Sequence, residues 1–399
     1  MSESLYFDHA ASAPRRDEVA DAMERWQRGV VGNPSGSHRA SRDARRAVEE
    51  ARDEVAEFVG AKPAGVIFTA GGTESCHLAI VGATLAHRNT HDKSIIVTSP
   101  IEHDAVLDAA RFAAQCFADV QHRVVDVDAD GVVDLESLRE ALDPDVAVVS
   151  VMTANNETGV CQPLDGVSAI TMGTVPGGTT THTDAVAAAP WLFLPSVTST
   201  IDLISICAHK IGGPVNAGAL IMRRDVPLVG VVPGGGQERG RRGGTLDVAA
   251  CVGLATAVRL TQKELIEVNE RVIDFQHKLC AALSFLPGCE VTAPAARKVP
   301  GTVHVTFAGL ASDEILFLLD QHGVCASAAS SCSSGAGVTS HVLSAMGVDP
   351  DRARGSLRLS MGPETTEDEV DRLVAVLSSV IHRLRAEAST QRATGRMGS

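Results

Sequence analysis

Lys210 closes the run Asp202-Leu203-Ile204-Ser205-Ile206-Cys207-Ala208-His209-Lys210, and Ile211-Gly212-Gly213-Pro214 follows it. An apolar strand ending in His-Lys, with Gly and Pro next, delivers its cation to a strand end where the chain must turn. A lysine driven toward an apolar interior has its charged form disfavoured, which makes its amine the better nucleophile, as a Schiff-base lysine must be. Upstream, Thr181-His182-Thr183-Asp184-Ala185 ends another apolar stretch in a carboxylate. That pairing suits pyridoxal 5′-phosphate (PLP): the lysine carries the cofactor, and the carboxylate keeps the pyridine nitrogen protonated so that the ring accepts electrons. Taken alone, Asp184 reads equally well as a helix cap.

Three further segments could contribute. Thr69-Ala70-Gly71-Gly72-Thr73-Glu74-Ser75 joins a strand to a helix, so Gly72 and Thr73 could seat a phosphate on free N–H groups at the positive end of the helix dipole. The alternative is an ordinary glycine turn with Thr73 as N-cap. His103, in Ile101-Glu102-His103-Asp104-Ala105, follows a strand and could stack on a ring and move protons, or simply begin a helix. Cys332 lies among small polar residues from Ser327 to Gly337, where an accessible thiolate could act as nucleophile; a chance thiol in a linker is the other reading. Arg358 sits inside the strand Ser356-Leu357-Arg358-Leu359-Ser360, so it requires an anion: a substrate carboxylate held by a bidentate fork, or an internal salt bridge.

These residues need a scaffold of strand ends. Strands are expected at Val66–Thr69, Ser94–Val97, Val124–Val127, Val146–Met152, Thr179–His182, Leu203–Cys207 and Ala217–Met222. Helices are expected at 40–59, 74–85, 105–117 and 135–142. The alternation predicts an α/β fold with a mostly parallel sheet covered by helices, and ligands bound beyond the carboxyl ends of the strands. A long helical stretch over 246–284 leads to a smaller α/β lobe, with strands at 303–307, 324–327 and 356–360 and helices at 313–321, 338–346 and 367–386.

Composition narrows the class. The 399 residues suggest two domains, and 44% hydrophobic against 21% charged residues suits a soluble globular protein. The net charge of −14 argues against broad nucleic-acid or anionic-membrane binding, although Arg239 to Arg242 form a local basic run. No apolar run approaches the roughly 18 residues of a membrane span, and the acidic start lacks a signal pattern, so a cytoplasmic location is expected. The nine scattered cysteines include no Cys-x-x-Cys pair, so neither a disulfide scaffold nor a metal site is expected.

From about Leu5 to Ala386 the chain resembles the cysteine desulfurases of the PLP-dependent class V aminotransferase family, the branch serving iron–sulfur assembly and tRNA thiolation. The resemblance is carried by 7–14 (Phe-Asp-His-Ala-Ala-Ser-Ala-Pro), 32–38 (Gly-Asn-Pro-Ser-Gly-Ser-His), 154–159 (Ala-Asn-Asn-Glu-Thr-Gly), Ala208-His209-Lys210 and 234–240 (Gly-Gly-Gly-Gln-Glu-Arg-Gly). It implies the aspartate-aminotransferase-like fold, with a large PLP domain over 15–258. A small domain would combine 1–14 and 259–388 and carry the cysteine loop, and 389–399 would be a disordered tail. It implies that Lys210 bears the cofactor, Asp184 faces its pyridine nitrogen and His103 stacks on it. Asn156 would lie near the phenolic oxygen and the substrate, with Gly72, Thr73 and His209 at the phosphate. Thr245 would reach the phosphate of a partner subunit, so a homodimer is implied. Arg358 would hold the carboxylate of L-cysteine, and Cys332 would take its sulfur as a persulfide for an acceptor or scaffold protein. A C–S or selenocysteine lyase, an aminotransferase and a non-catalytic scaffold are the alternatives. The chain departs from the family at Ala187, where Gln is usual, at His77 and Cys207, and in the Ala328-Ala329-Ser330-Ser331 lead to Cys332. A missing hydrogen bond from Gln to a charged group would cost roughly 1.5–3 kcal/mol if unreplaced, so an altered rate or acceptor is expected.

Overall fold

In the computed structural model, residues 4–175, 178–328 and 340–395 are described, with side chains through Ser389. The strands are β1 (Leu5–Tyr6), β2 (Val66–Thr69), β3 (Ser94–Thr98), β4 (Val120–Val124), β5 (Val146–Ser150), β6 (Thr180–Asp184), β7 (Leu203–Cys207), β8 (Gly218–Met222), β9 (Cys289–Val291), β10 (Thr302–Phe307), β11 (Val324–Cys325) and β12 (Ser356–Ser360). The helices are α1 (Asp17–Gln27), α2 (Arg39–Val59), α3 (Gly72–Arg88), α4 (Asp104–Cys116), α5 (Leu135–Ala141), α6 (Leu164–Thr174), α7 (Leu194–Val197), α8 (Val248–Ser284), α9 (Ser312–Gln321), α10 (His341–Ala345), α11 (Pro350–Ala353) and α12 (Glu367–Gly395).

The main sheet has seven strands in the order β2-β8-β7-β6-β5-β3-β4. Pairing is parallel from β7 through β4, while β8 runs antiparallel to both β2 and β7. Every residue of β3, β5, β6 and β7 is buried, which is why β3, β5 and β7 read as unbroken apolar or small-residue runs rather than alternating ones; β6 is buried although its residues are Thr, His and Asp. One geometric result matters for chemistry: β2, β3, β5, β6 and β7 all point their carboxyl ends the same way.

The covering helices follow their apolar spacing. On α2, Ala44, Val48, Ala51, Val55 and Phe58 recur at helical intervals and are buried, with the opposite face charged. Its N-terminus is capped by His38, which accepts from Ser41 N, and it ends at Gly60 in the left-handed region at φ 70°. The 37-residue α8 then leads to a three-stranded antiparallel sheet, β12-β10-β9, and to the parallel β1–β11 pair. The start of the chain therefore pairs with strands more than three hundred residues later: Leu5 lies opposite Val324.

Several boundaries differ from the sequence expectation. The strand expected at Val124–Val127 lies earlier, at β4; it is the half-exposed edge strand, and Gln121, His122 and Arg123 hide its pattern. The strand expected at 324–327 stops at Cys325, although Ser327 makes a further bridge to Arg358. α6 was not anticipated, because its Gly, Ser and Thr content gives little helical signal. α12 continues to Gly395, past the Ser389 at which a disordered tail is expected. The expected helix at 338–346 is described as α10 from His341.

Candidate active site

The catalytic lysine expected from sequence stands where the turn after β7 places it. Ala208 O accepts from both Ile211 N and Gly213 N, which closes that turn tightly. Lys210 is half-buried, and Nζ donates to Ala10 O and Ala11 O, each at 2.6 Å. Its immediate surroundings are thus the carbonyls of the N-terminal segment rather than the apolar interior expected from the sequence. Ala13 N in turn donates to His209 O, so the segment lies across the strand end.

Asp184 is the last residue of the neighbouring β6, paired with Ser205 of β7. It is buried, and Oδ1 accepts from Val186 N at 2.9 Å. Burial pushes its carboxyl group upward, while the nearby charges of His103 and Lys210 and a hydrogen bond from Cys76 pull it back. A carboxylate so placed favours a cationic N–H partner, which a protonated pyridine nitrogen supplies. Asp184 is therefore not a helix cap.

His103 follows β3. It is the N-cap of α4, with Nδ1 accepting from Ala105 N at 3.0 Å. That use of Nδ1 leaves Nε2 to carry the proton of the neutral ring. Glu102 beside it carries no signal in the sequence, and it is fully buried: Oε1 accepts from Ser99 Oγ and Met152 N, while Oε2 has no partner among the described residues. Burial raises its carboxyl group to about 8. The folded protein therefore holds a proton that the unfolded chain has released between about pH 4.5 and 8. The stability this contributes is full below the unfolded value and is lost as pH rises through the folded one. Glu102→Gln should accordingly gain on the wild type by about 1–3 kcal/mol between pH 5 and pH 9, read from urea unfolding midpoints; a pH-independent gap would refute the assignment.

The glycine turn at which a phosphate is expected leads into an uncapped helix. Gly71 has φ 143°, and α3 begins with no side-chain cap, so its first N–H groups remain available. A Cβ at Gly218 would meet Gly71 backbone atoms at 2.7 Å, so a glycine at the start of β8 permits the close approach. Thr73 is exposed at the helix start, and His209, lowered to about 4 by burial, has Nε2 at 3.9 Å from Cys207 Sγ. Glu74 secures the turn: it accepts from Ala70 N at 2.5 Å and from Arg242 Nε at 2.8 Å. Arg241 pairs with Asp225 and Arg239 donates to Ala64 O, so the run from Arg239 to Arg242 is largely spent on internal contacts and is not a free basic patch.

The same loop protects the edge of the sheet. β2 is an edge strand, and its outward groups are taken by a buried ion pair: Arg52 donates to Val66 O, and Glu238 accepts from Phe68 N, both at 2.8 Å. Arg52 and Glu238 make a bidentate contact at 2.9 and 2.8 Å. Glu238 and Arg239 hold positive φ, at 47° and 58°.

On the substrate side, Lys210, Asn156, Ala187, His9 and Trp191 line one cleft. The structure therefore brings Asn156 and Ala187 beside Lys210. Arg358 is 2% exposed and pairs with Asp8 at 3.0 Å, while its NH1 donates to Asn156 O at 3.0 Å. The internal salt bridge is real, and it ties the guanidinium to the cleft. Thr245 is exposed on a second cleft with Ala70, Asn216 and Arg242 of its own chain. Cys332 lies outside the described residues. Among the described residues, no cluster of three or more His, Cys, Asp or Glu could hold a metal.

Lys210, the buried Asp184, an uncapped glycine turn and His103 thus gather at the carboxyl ends of the parallel strands, and the set fits PLP. The sequence profile described as "Aminotransferase class-V" matches residues 5–373. The chain belongs to the class-V aminotransferase family. Enzymes of this family depend on PLP. The chain is 42% identical over 393 residues to the "IscS-like cysteine desulfurase" of Mycobacterium tuberculosis, covering 96% of this chain and 98% of the relative. It is 36% identical over 386 residues to the "Cysteine desulfurase IscS" of Dictyoglomus turgidum, at 96% of each chain. A solved "NIFS-LIKE PROTEIN" superposes with TM-score 0.87 at 33% identity, over 95% of this chain and 99% of that one.

Proposed function

We propose that this chain is a PLP-dependent cysteine desulfurase. The observation that carries the reading is that Lys210 and Asn156 line one cleft, with Arg358 bound to the Asn156 carbonyl, in a chain related over nearly its whole length to named desulfurases. L-Cysteine enters this cleft with its carboxylate toward Arg358, where it shares the guanidinium with Asp8. Bound PLP supplies an electron-accepting ring that weakens bonds at the substrate's α-carbon. Lys210 would carry the cofactor, and Asp184 would serve its pyridine nitrogen. His103 would lie against the ring and move protons through Nε2. Thr73, Gly72 and His209 would hold the phosphate, joined by Thr245 of a second subunit in a homodimer.

The sulfur step belongs to Cys332. Its thiolate attacks the substrate sulfur, an S–S bond forms, and the carbon–sulfur bond breaks. L-Cysteine and the thiol become L-alanine and a Cys332 persulfide, with atoms and electrons balanced. The persulfide is then passed to an acceptor protein or an iron–sulfur scaffold. The location is cytoplasmic; among the described residues no helix is long and apolar enough to cross a membrane.

Wild type and Cys332→Ala decide the matter. With L-cysteine and a reductant, the wild type should yield equal alanine and sulfide, and the variant should lose both by about 10²-fold or more. Pyruvate and ammonia from both proteins would establish a lyase instead.

A further inference from the structure

Glu157 has no role in the reading above, yet it bonds Ser340 at the start of α10 and follows Asn156, whose carbonyl receives Arg358. Its turn is rigid. Asn155 Oδ1 accepts from Glu157 N at 3.0 Å, Thr158 N at 2.9 Å and Thr158 Oγ1 at 3.1 Å. Asn155 Nδ2 donates to Ile101 O, which binds the turn to the segment bearing His103. The next backbone carbonyl, Asn156 O, receives Arg358. The carboxylate of Glu157 itself is buried and accepts from Ser340 Oγ at 2.5 Å.

Ser340 is the N-cap of α10, with its Oγ also accepting from Leu343 N. One residue on, His341 Nε2 donates to Glu102 O at 2.9 Å. Val342 and Leu343 pack with Ile101 and Met152. The start of α10 is thus fastened to the strand-end loops of the main sheet at several points, and Glu157 and Glu102 O are the two polar fastenings described at its first turn.

A neutral amide would make the same hydrogen bond without burying an acid. Arg358, His103 and Asp104 face the carboxyl group, and burial raises it to about 7.

We propose that Glu157 is a positioning residue: through Ser340 it fixes the start of α10 relative to the backbone that holds Arg358, and so aligns the sulfur-accepting step with the anchored substrate. This rests on the desulfurase reading above. Arg358 keeps Asp8 and Asn156 O whatever stands at position 157, so substrate anchoring should survive a change there.

The experiment compares holoenzymes of wild type, Glu157→Ala, Glu157→Gln, Ser340→Ala and the double alanine variant, given L-cysteine without reductant. Cysteine binding is read from the change in cofactor absorption, and persulfide on Cys332 from mass spectrometry over time. Binding should stay within about threefold while persulfide formation in Glu157→Ala slows about tenfold or more. Ser340→Ala should reproduce that loss, the double variant should add little to it, and Glu157→Gln should recover most of the rate. Equal rates in wild type and Glu157→Ala, an equal loss of binding and rate, or no recovery with Gln would overturn the proposal alone. A wild type that forms no persulfide would overturn the desulfurase reading and this proposal together.

Discussion

Lys210→Ala is expected to purify without the visible band of a lysine-linked cofactor and to release alanine from L-cysteine slower by on the order of 10⁴-fold or more. The reason is chemical rather than structural. The turn that presents the side chain is closed by backbone bonds from Ile211 and Gly213 to Ala208 O and from Ala13 to His209 O, and none of them involves the amine. The truncated protein should therefore fold, with an unfolding midpoint close to that of cofactor-free wild type. What it loses is the group that forms the covalent bond and the donor to Ala10 O and Ala11 O. Absorption spectra and alanine release, each measured with added PLP, are the checks. A variant that keeps near-normal turnover would remove Lys210 from the chemistry.

Glu238→Ala should be among the most destabilising single changes away from the cleft. It would strand the Arg52 guanidinium, which is 3% exposed, and orphan Phe68 N on an edge strand. Removing one partner of a buried pair costs roughly 3–5 kcal/mol, because the remaining charge stays desolvated. Arg52 would keep Val66 O and its place over the Phe68 ring, with Glu49 at the rim, which offsets only part of that cost. The backbone supplies a control. Glu238 holds a left-handed φ of 47°, so Glu238→Gly should lose the same side-chain contacts while relieving strain, and should be the more stable of the two. Urea unfolding of the holoenzymes measures both; a loss below about 1 kcal/mol for Glu238→Ala would contradict the buried-pair account.

The chemistry-bearing strand ends were legible because β6 and β7 are short, buried and terminated by a change of residue type. Asp184 and Lys210 each lie at or just after the end of a short buried strand, and a glycine turn precedes the helix that begins at Gly72. The partners of these groups were not legible. Arg358 could be recognised as a buried cation needing an anion, but Asp8 stands 350 residues away and nothing local identifies it. Glu74 with Arg242 and Arg52 with Glu238 are separated by 168 and 186 residues. The buried acids Glu102 and Glu157 look like surface residues of polar loops until neighbouring loops cover them. Edge strand β4 and helix α6 were misplaced or missed for a related reason: their patterns are weak, and tertiary contacts decide them.

The pairing of β1 with β11 also bears on how the protein is made. A ribosome releases Leu5 and Asp8 more than three hundred residues before their partners Val324, Arg358 and Ser360. At about 5–20 residues per second, the first strand waits roughly 15–60 seconds for a place. The seven strands of the main sheet are all synthesised in that interval. The carbonyls that receive Lys210 lie on the same waiting segment, so the cleft is completed only when two widely separated parts of the nascent chain meet over a sheet already available to them.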